Sequence, residues 1–218
     1  KFLKGVGDDV TIGLISNCQG SRGDLLRWVL MSLDQTAAPD ATYVDLFEAF
    51  QAYLISEYAA GRRVILILDE AQNLSTETLE ELRMFTNINS NKDELLQLVL
   101  VGQPELSDTI NRPELRQFAQ RVAARYHLNV MNAEQVAEYI AHRLQVAGST
   151  GNCFSEGACK RIHQMTRGVP RLVNQLCDLS MVYAFSKNQR TIARDTVNEV
   201  LADGAFFYAS AFPEETVS

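Results

Sequence analysis

Val64-Ile65-Leu66-Ile67-Leu68-Asp69-Glu70 is the stretch on which the reading of this chain turns. Val64 to Leu68 is an unbroken apolar run, too short for a helix. Such a run suits a strand buried on both faces, as in a parallel sheet. It ends in two adjacent carboxylates. The carboxyl edge of a parallel sheet is where ligands bind. There Asp69 can hold the Mg²⁺ of a nucleotide, directly or through water. Glu70 can orient or deprotonate an attacking water. The plainer alternative is a core strand running into an acidic helix cap. Paired carboxylates directly after an apolar run favour the functional reading, because that pattern carries a mechanism.

Upstream, Val10 to Ile15 is apolar and β-branched, and reads as a strand. A loop of Asn17 to Gly23 follows. Leu25, Trp28, Val29 and Leu33 give helical spacing over Asp24 to Leu33. A polar linker with Pro39 leads to a second helix, Tyr43 to Ala60, with one stripe of Tyr43, Leu46, Phe47, Phe50 and Leu54. Gly61 sits just past its end. Downstream, Ser75 can cap a helix whose core face is Leu79, Leu82, Phe85 and Ile88. Leu98 to Val101 reads as a second fully apolar strand. Short helices follow Pro104 and Pro113, and Tyr126 to Leu128 reads as a further strand.

Buried strands alternating with helices predict an α/β fold with a parallel sheet. From about Met131 the pattern is helical only. Asn132 with Gln135 forms a capping-box signature ahead of Val136, Tyr139, Ile140 and Leu144. Ser155 can cap the next helix, Pro170 can open a third, and a fourth runs near Ala193 to Leu201. We therefore expect an α/β core over 1–130, a helical region over 131–203 and a tail over 204–218.

The 218 residues, 46% of them hydrophobic, suffice for one sizeable core with a small satellite. The net charge of -7 argues against broad, nonspecific nucleic-acid binding, which needs a basic face. Local contact with nucleic acid stays open but is not favoured. No apolar run approaches the roughly 20 residues that span a bilayer, and no signal peptide opens the chain. Cys18, Cys153, Cys159 and Cys177 match no zinc or redox spacing and read as buried thiols in a reducing compartment.

Further residues bear on chemistry. Gln103 follows the Leu98–Val101 strand, where a polar side chain can reach a γ-phosphate or the lytic water, although Gly102 and Pro104 alone would signal only a turn. Among Arg112, Arg116, Arg121 and Arg125, one can act in trans on a neighbour's nucleotide. A solvated helix face is the simpler account of any single one. Arg171, in Arg167-Gly168-Val169-Pro170-Arg171, opens a helix and can meet a phosphate; a surface arginine is an equal alternative. His127, His142 and His163 are scattered and read as structural or exposed.

Taken together, four blocks resemble one family: Asp69 to Leu74, Leu100 to Leu106, Arg121 to Leu128, and Gly168 to Cys177. They are similar to the AAA+ ATPase domain of the general secretion pathway protein A (ExeA-like) family, and more distantly to transposition ATPases of the TniB type. The resemblance runs from about Val10 to about Leu201, with the blocks in the family's order. It implies a P-loop NTPase (AAA+) parallel sheet flanked by helices, followed by a small all-helical lid. It implies ATP and Mg²⁺ as ligands, with Asp69 on the metal and Glu70 as the catalytic acid–base. Gln103 matches a sensor on the neighbouring strand. Arg171 matches a second sensor in the lid, next to Gly168 and Pro170. Arg116 and Arg121 both lie where the trans-acting arginine is expected. The implied partners are further copies of the chain and protein components of a secretion or envelope assembly. The implied location is the cytoplasm, at the inner face of the inner membrane in a longer protein.

At the front the chain departs from that family. No Gly-x-x-x-x-Gly-Lys-Ser/Thr occurs in the 218 residues. Gly5-Val6-Gly7 lacks a following lysine, and Phe2-Leu3 resemble the last turn of the helix that normally follows a phosphate loop. The expectation is a chain lacking that loop and its central strand, with ATP hydrolysis expected of a longer protein. The alternatives are a non-catalytic interaction module, or an ATPase that recruits a transposase.

Overall fold

The computed structural model describes Gly7 and residues 9–16, 24–90, 93–149 and 151–206. The expected Phe2-Leu3 turn, the loop over 17–23, Cys18 and the tail beyond 206 lie outside the described residues. The chain divides into two compact units, Lys1–Arg125 and Tyr126–Ser218.

The first unit is built on a parallel sheet in the order β1 (Val10–Ser16), β2 (Arg63–Asp69), β5 (Leu96–Leu100). The helices α1 (Asp24–Ser32) and α2 (Tyr43–Ala59) connect β1 to β2, and α3 (Thr76–Phe85) follows β2. The register sets Ser16 beside Asp69 and Leu68 beside Leu100, so the carboxylate pair lies at the carboxyl edge. Parallel strands need helical crossovers of this length, which is why the apolar runs are separated by amphipathic helices.

Caps fix where the helices begin. Thr42 and Asp45 form a reciprocal capping box on α2, and the Ser75 hydroxyl accepts the Thr78 N–H at the start of α3. Leu79, Leu82, Phe85 and Ile88 are all buried, as their spacing predicts. Phe85 anchors the layer: its ring meets Phe50 edge-on at 5.3 Å and Phe47 at 6.2 Å.

The strands are less enclosed than the sequence suggests. Val64, Leu66 and Leu68 are fully buried, while Ile65 and Ile67 are half-buried. β5 begins two residues earlier than expected, and Val99 and Val101 are 43% and 46% exposed. Ahead of it in the chain, a separate short antiparallel pair, β3 (Asn89–Ser90) with β4 (Asp93–Glu94), is one that the sequence did not announce. The expected strand at Tyr126 to Leu128 is absent. These residues have no regular structure, and Tyr126 and Leu128 are 89% and 82% exposed. A strand needs a neighbour to satisfy its main chain, and no described segment pairs with this one.

The unit completes with α4 (Glu105–Ile110), a 3₁₀ turn at Pro113–Leu115 and α5 (Arg116–Ala119). The second unit is helical: α6 (Ala133–Val146), α7 (Glu156–Thr166), α8 (Pro170–Ser186) and α9 (Arg194–Ala202). Asn132 and Gln135 form their capping box, Ser155 caps α7, and Pro170 occupies the first turn of α8. Its core gathers Val136, Ile140, Ile162, Val173, Leu176 and Val197. Cys159 and Cys177 are buried thiols, and burial pushes Cys177 up to about 12. Among the described residues no helix is long and apolar enough to cross a membrane.

One buried charge stabilises the first unit. Glu57 of α2 is 6% exposed and accepts bonds from the Arg62 guanidinium and the Thr11 hydroxyl of β1. The Arg62 hydrogen bonds hold its carboxyl at about 2, below the ordinary 4.5. A depressed carboxylate stabilises the fold above its unfolded pKa, and that stability is lost as pH falls from 4.5 towards 2. Glu57→Gln is therefore expected to lower Tm at pH 7 by roughly 2–8 °C, the shift of about 1 kcal/mol in units of this size. Thermal melts of both proteins against pH check this: the gap should close as the pH approaches about 2.

Candidate active site

The site is assembled where β2 ends. Leu68 accepts the Val101 N–H at 2.9 Å, and Val101 in turn accepts the Ala71 N–H at 2.9 Å. These bonds extend the β2–β5 pairing past the last strand residues and fold the chain sharply after Asp69. Glu70 takes up the turn in the left-handed region, with φ 54 and ψ 35. A side chain there costs about 1 kcal/mol or more relative to glycine, a strain often found at functional positions. Glu70 is exposed and Asp69 half-buried. The Asp69 Oδ1 accepts the Glu70 N–H at 2.9 Å, which fixes that carboxylate and leaves its second oxygen for a cation.

Gln103 lies just past β5, after Val101 and Gly102, on the same edge. Its backbone N–H donates to Gln72 Oε1 at 3.0 Å, while Gln72 Nε2 donates to Glu70 Oε2 at 2.6 Å. The structure thus brings Asp69, Glu70 and Gln103 together, joined by a half-buried glutamine. Sequence reasoning gave no role to Gln72. It stands in the Asp69–Leu74 block, but its partner is far along the chain, and no spacing rule links them.

Arg116 and Arg121 belong to this unit and are exposed. Arg121 donates to the carbonyl and hydroxyl of Thr86, at 3.5 and 3.3 Å, just past the end of α3. Arg125 donates to Asn111 Oδ1 at 3.0 Å.

Gly168, Pro170 and Arg171 lie in the helical unit. Two consecutive left-handed residues, Arg167 and Gly168, end α7. The Gly168 carbonyl accepts the Met131 N–H at 3.0 Å, and its N–H donates to Thr166 Oγ1 at 3.3 Å. Val169 is extended, Pro170 opens α8, and Arg171 stands exposed on its first turn. A Cβ on Gly168 would fall 1.8 Å from the Met131 carbonyl oxygen, so this turn admits glycine alone.

Among the described residues no group of three or more His, Cys, Asp or Glu is placed to hold a metal. Mg²⁺ needs no such cage: one or two carboxylates, phosphate oxygens and waters hold it. The free oxygen of Asp69 fits that requirement.

Comparison with known proteins agrees with this geometry. Residues 6–110 match the AAA domain family. The chain is 36% identical over 197 residues to "General secretion pathway protein A" of Aeromonas hydrophila, covering 90% of this chain and 36% of that protein's length. Among solved structures, the ORC2 protein of Aeropyrum pernix (ADPNP-ADP complexes) superposes with a TM-score of 0.70 at 15% identity, over 97% of this chain and 57% of that one. CDC6P from Pyrobaculum aerophilum gives 0.64 at 17% identity, over 94% and 57%. These likenesses show the fold.

Gly168→Ala tests the turn before α8. It is expected to destabilise the protein by at least ~2 kcal/mol, because both the left-handed backbone and the Met131 contact oppose a side chain. A chemical denaturation midpoint equal to wild type would exclude that packing. Over residues 6–110 the chain thus matches the AAA domain family, on a parallel sheet whose β2 runs into Asp69-Glu70, and it is similar to a secretion-pathway relative of which it spans 36%.

Proposed function

We propose that this protein binds ATP with Mg²⁺ and hydrolyses it, coupling turnover to the assembly of a secretion or envelope complex as a homo-oligomer. One observation carries the hydrolytic reading: Asp69 and Glu70 at the end of β2 are joined through Gln72 to the start of the Gln103 loop. That is the arrangement needed to hold a cation, a water and a γ-phosphate on one sheet edge.

Asp69 would hold Mg²⁺, which when bound neutralises charge on the phosphates. Glu70 orients the attacking water and takes its proton. The Gln103 side chain contacts the γ-phosphate, where charge develops. Arg171, exposed on the first turn of α8, acts as the nucleotide sensor of the helical unit. Of the two candidates for action on a neighbouring copy, Arg116 is the better. Arg121 is engaged with Thr86, whereas Arg116 is exposed on a short helix. The assembly role is supported by the relative's name and by 36% identity, over a chain spanning 36% of that relative. ATP chemistry and buried thiols both suit the cytosolic side of a membrane.

One observation favours a second reading, a non-catalytic interaction module: the 218 residues contain no Gly-x-x-x-x-Gly-Lys-Ser/Thr. Nucleotide titration separates the two. The full-length protein should bind ATP, and Glu70→Gln should keep that binding while lowering turnover by about 100-fold or more, the range for losing a general base. A folded full-length protein that binds no nucleotide would establish the interaction module instead. Unchanged turnover in Glu70→Gln would remove Glu70 from its role.

A further inference from the structure

We infer that Gln72 is the positioning residue of the site: its amide sets the catalytic carboxylate of Glu70 against the Gln103 loop, and Gly102 is glycine to make room for it. The inference rests on the ATP-hydrolysis reading above and names a determinant of the same site.

The chemistry of the amide fixes its orientation. The Gln103 N–H is a donor only, so the Gln72 atom facing it must be the carbonyl oxygen, at 3.0 Å. The NH₂ then points to Glu70 Oε2, at 2.6 Å, where a carboxylate can only accept. Each end of the side chain is matched to its partner, and a flip would leave both ends opposed. Charge assistance makes the Glu70 contact the stronger of the two.

The consequence is mechanical. Glu70 sits on an exposed, left-handed turn, where its side chain would otherwise sample several rotamers. Gln72 grips Oε2 and leaves Oε1 for a water. The same amide holds the first backbone group of the Gln103 loop, so the carboxylate and the γ-phosphate contact are set by one side chain.

Gly102 gives independent support. It has no left-handed backbone, so conformational freedom does not account for it. A Cβ there would meet Gln72 Oε1 at 2.8 Å and the Gln72 backbone nitrogen at 3.1 Å. A side chain there would press on the amide, on the main chain that carries it and on Leu106 Cδ2, at 3.1 Å.

The test compares ATP turnover and ATP affinity in the full-length protein carrying Gln72→Leu, Gln72→Glu or Gly102→Ala, with thermal melts to confirm folding. Gln72→Leu removes both contacts. Gln72→Glu keeps the volume and the acceptor for Gln103 but sets a carboxylate against Glu70. All three are expected to lower kcat by about 10- to 100-fold, the cost of a misplaced base, with KM and ATP affinity little changed. In a Glu70→Gln background, Gln72→Leu is expected to add no further loss, because Gln72 acts through Glu70. Wild-type or raised kcat in folded Gln72→Leu and Gln72→Glu would overturn the inference, as would a loss of equal size in both backgrounds. Full-length wild type without turnover would overturn the hydrolysis reading, and the positioning role with it.

Discussion

Two main-chain hydrogen bonds, Val101 N–H to Leu68 and Ala71 N–H to Val101, are what the rest of the site depends on. The β2–β5 ladder stops at Leu68 and Leu100, and without further pairing the two strand ends would diverge. These bonds carry the pairing across the turn and make the chain double back immediately after Asp69. Glu70 is thereby forced into a left-handed conformation that a carboxylate-bearing residue adopts only at a cost. The buried side of β2 supplies the rigidity: Val64, Leu66 and Leu68 are each 1% exposed or less. A frame held by that much apolar burial can tolerate strain at its rim.

On this frame the polar parts are few and mutually constrained. Asp69 is held by the next residue's N–H, Glu70 by Gln72, and the Gln103 loop by Gln72 again. Leu106 at the start of α4 closes the underside, its Cδ2 lying 3.1 Å from where a Gly102 Cβ would stand. Strand end, turn and following loop thus form one packed unit. Within the helical unit, the Gly168 turn launches α8 with Arg171 on its first turn.

Much of this was legible in the sequence, for physical reasons that can be named. β1 and β2 are apolar runs, the helices α1, α2 and α3 carry apolar periodicity, and Ser75, Asn132 and Ser155 are caps whose side chains accept the N–H groups expected of them. What failed was whatever depends on neighbours. Tyr126 to Leu128 has the composition of a strand but no paired segment, so it stays irregular and exposed. β3 and β4 are made of polar residues without alternation, which no pattern announces. Asp69, Glu70 and Gln103 stand out as candidates in the sequence because each lies at or shortly after the end of an apolar run. Gln72 could not, because its importance arises only when residues 31 apart in sequence meet across a turn.

The central claim is that the carboxylate closing β2 serves a Mg²⁺-bound nucleotide. It is tested most directly by measuring ATP affinity in the full-length protein, with Mg²⁺ and with a chelator, for wild type and Asp69→Asn. Mg²⁺ should tighten ATP binding in wild type, and that gain should be lost in Asp69→Asn. An equal gain in both proteins, or no Mg²⁺ dependence in wild type, would contradict the claim.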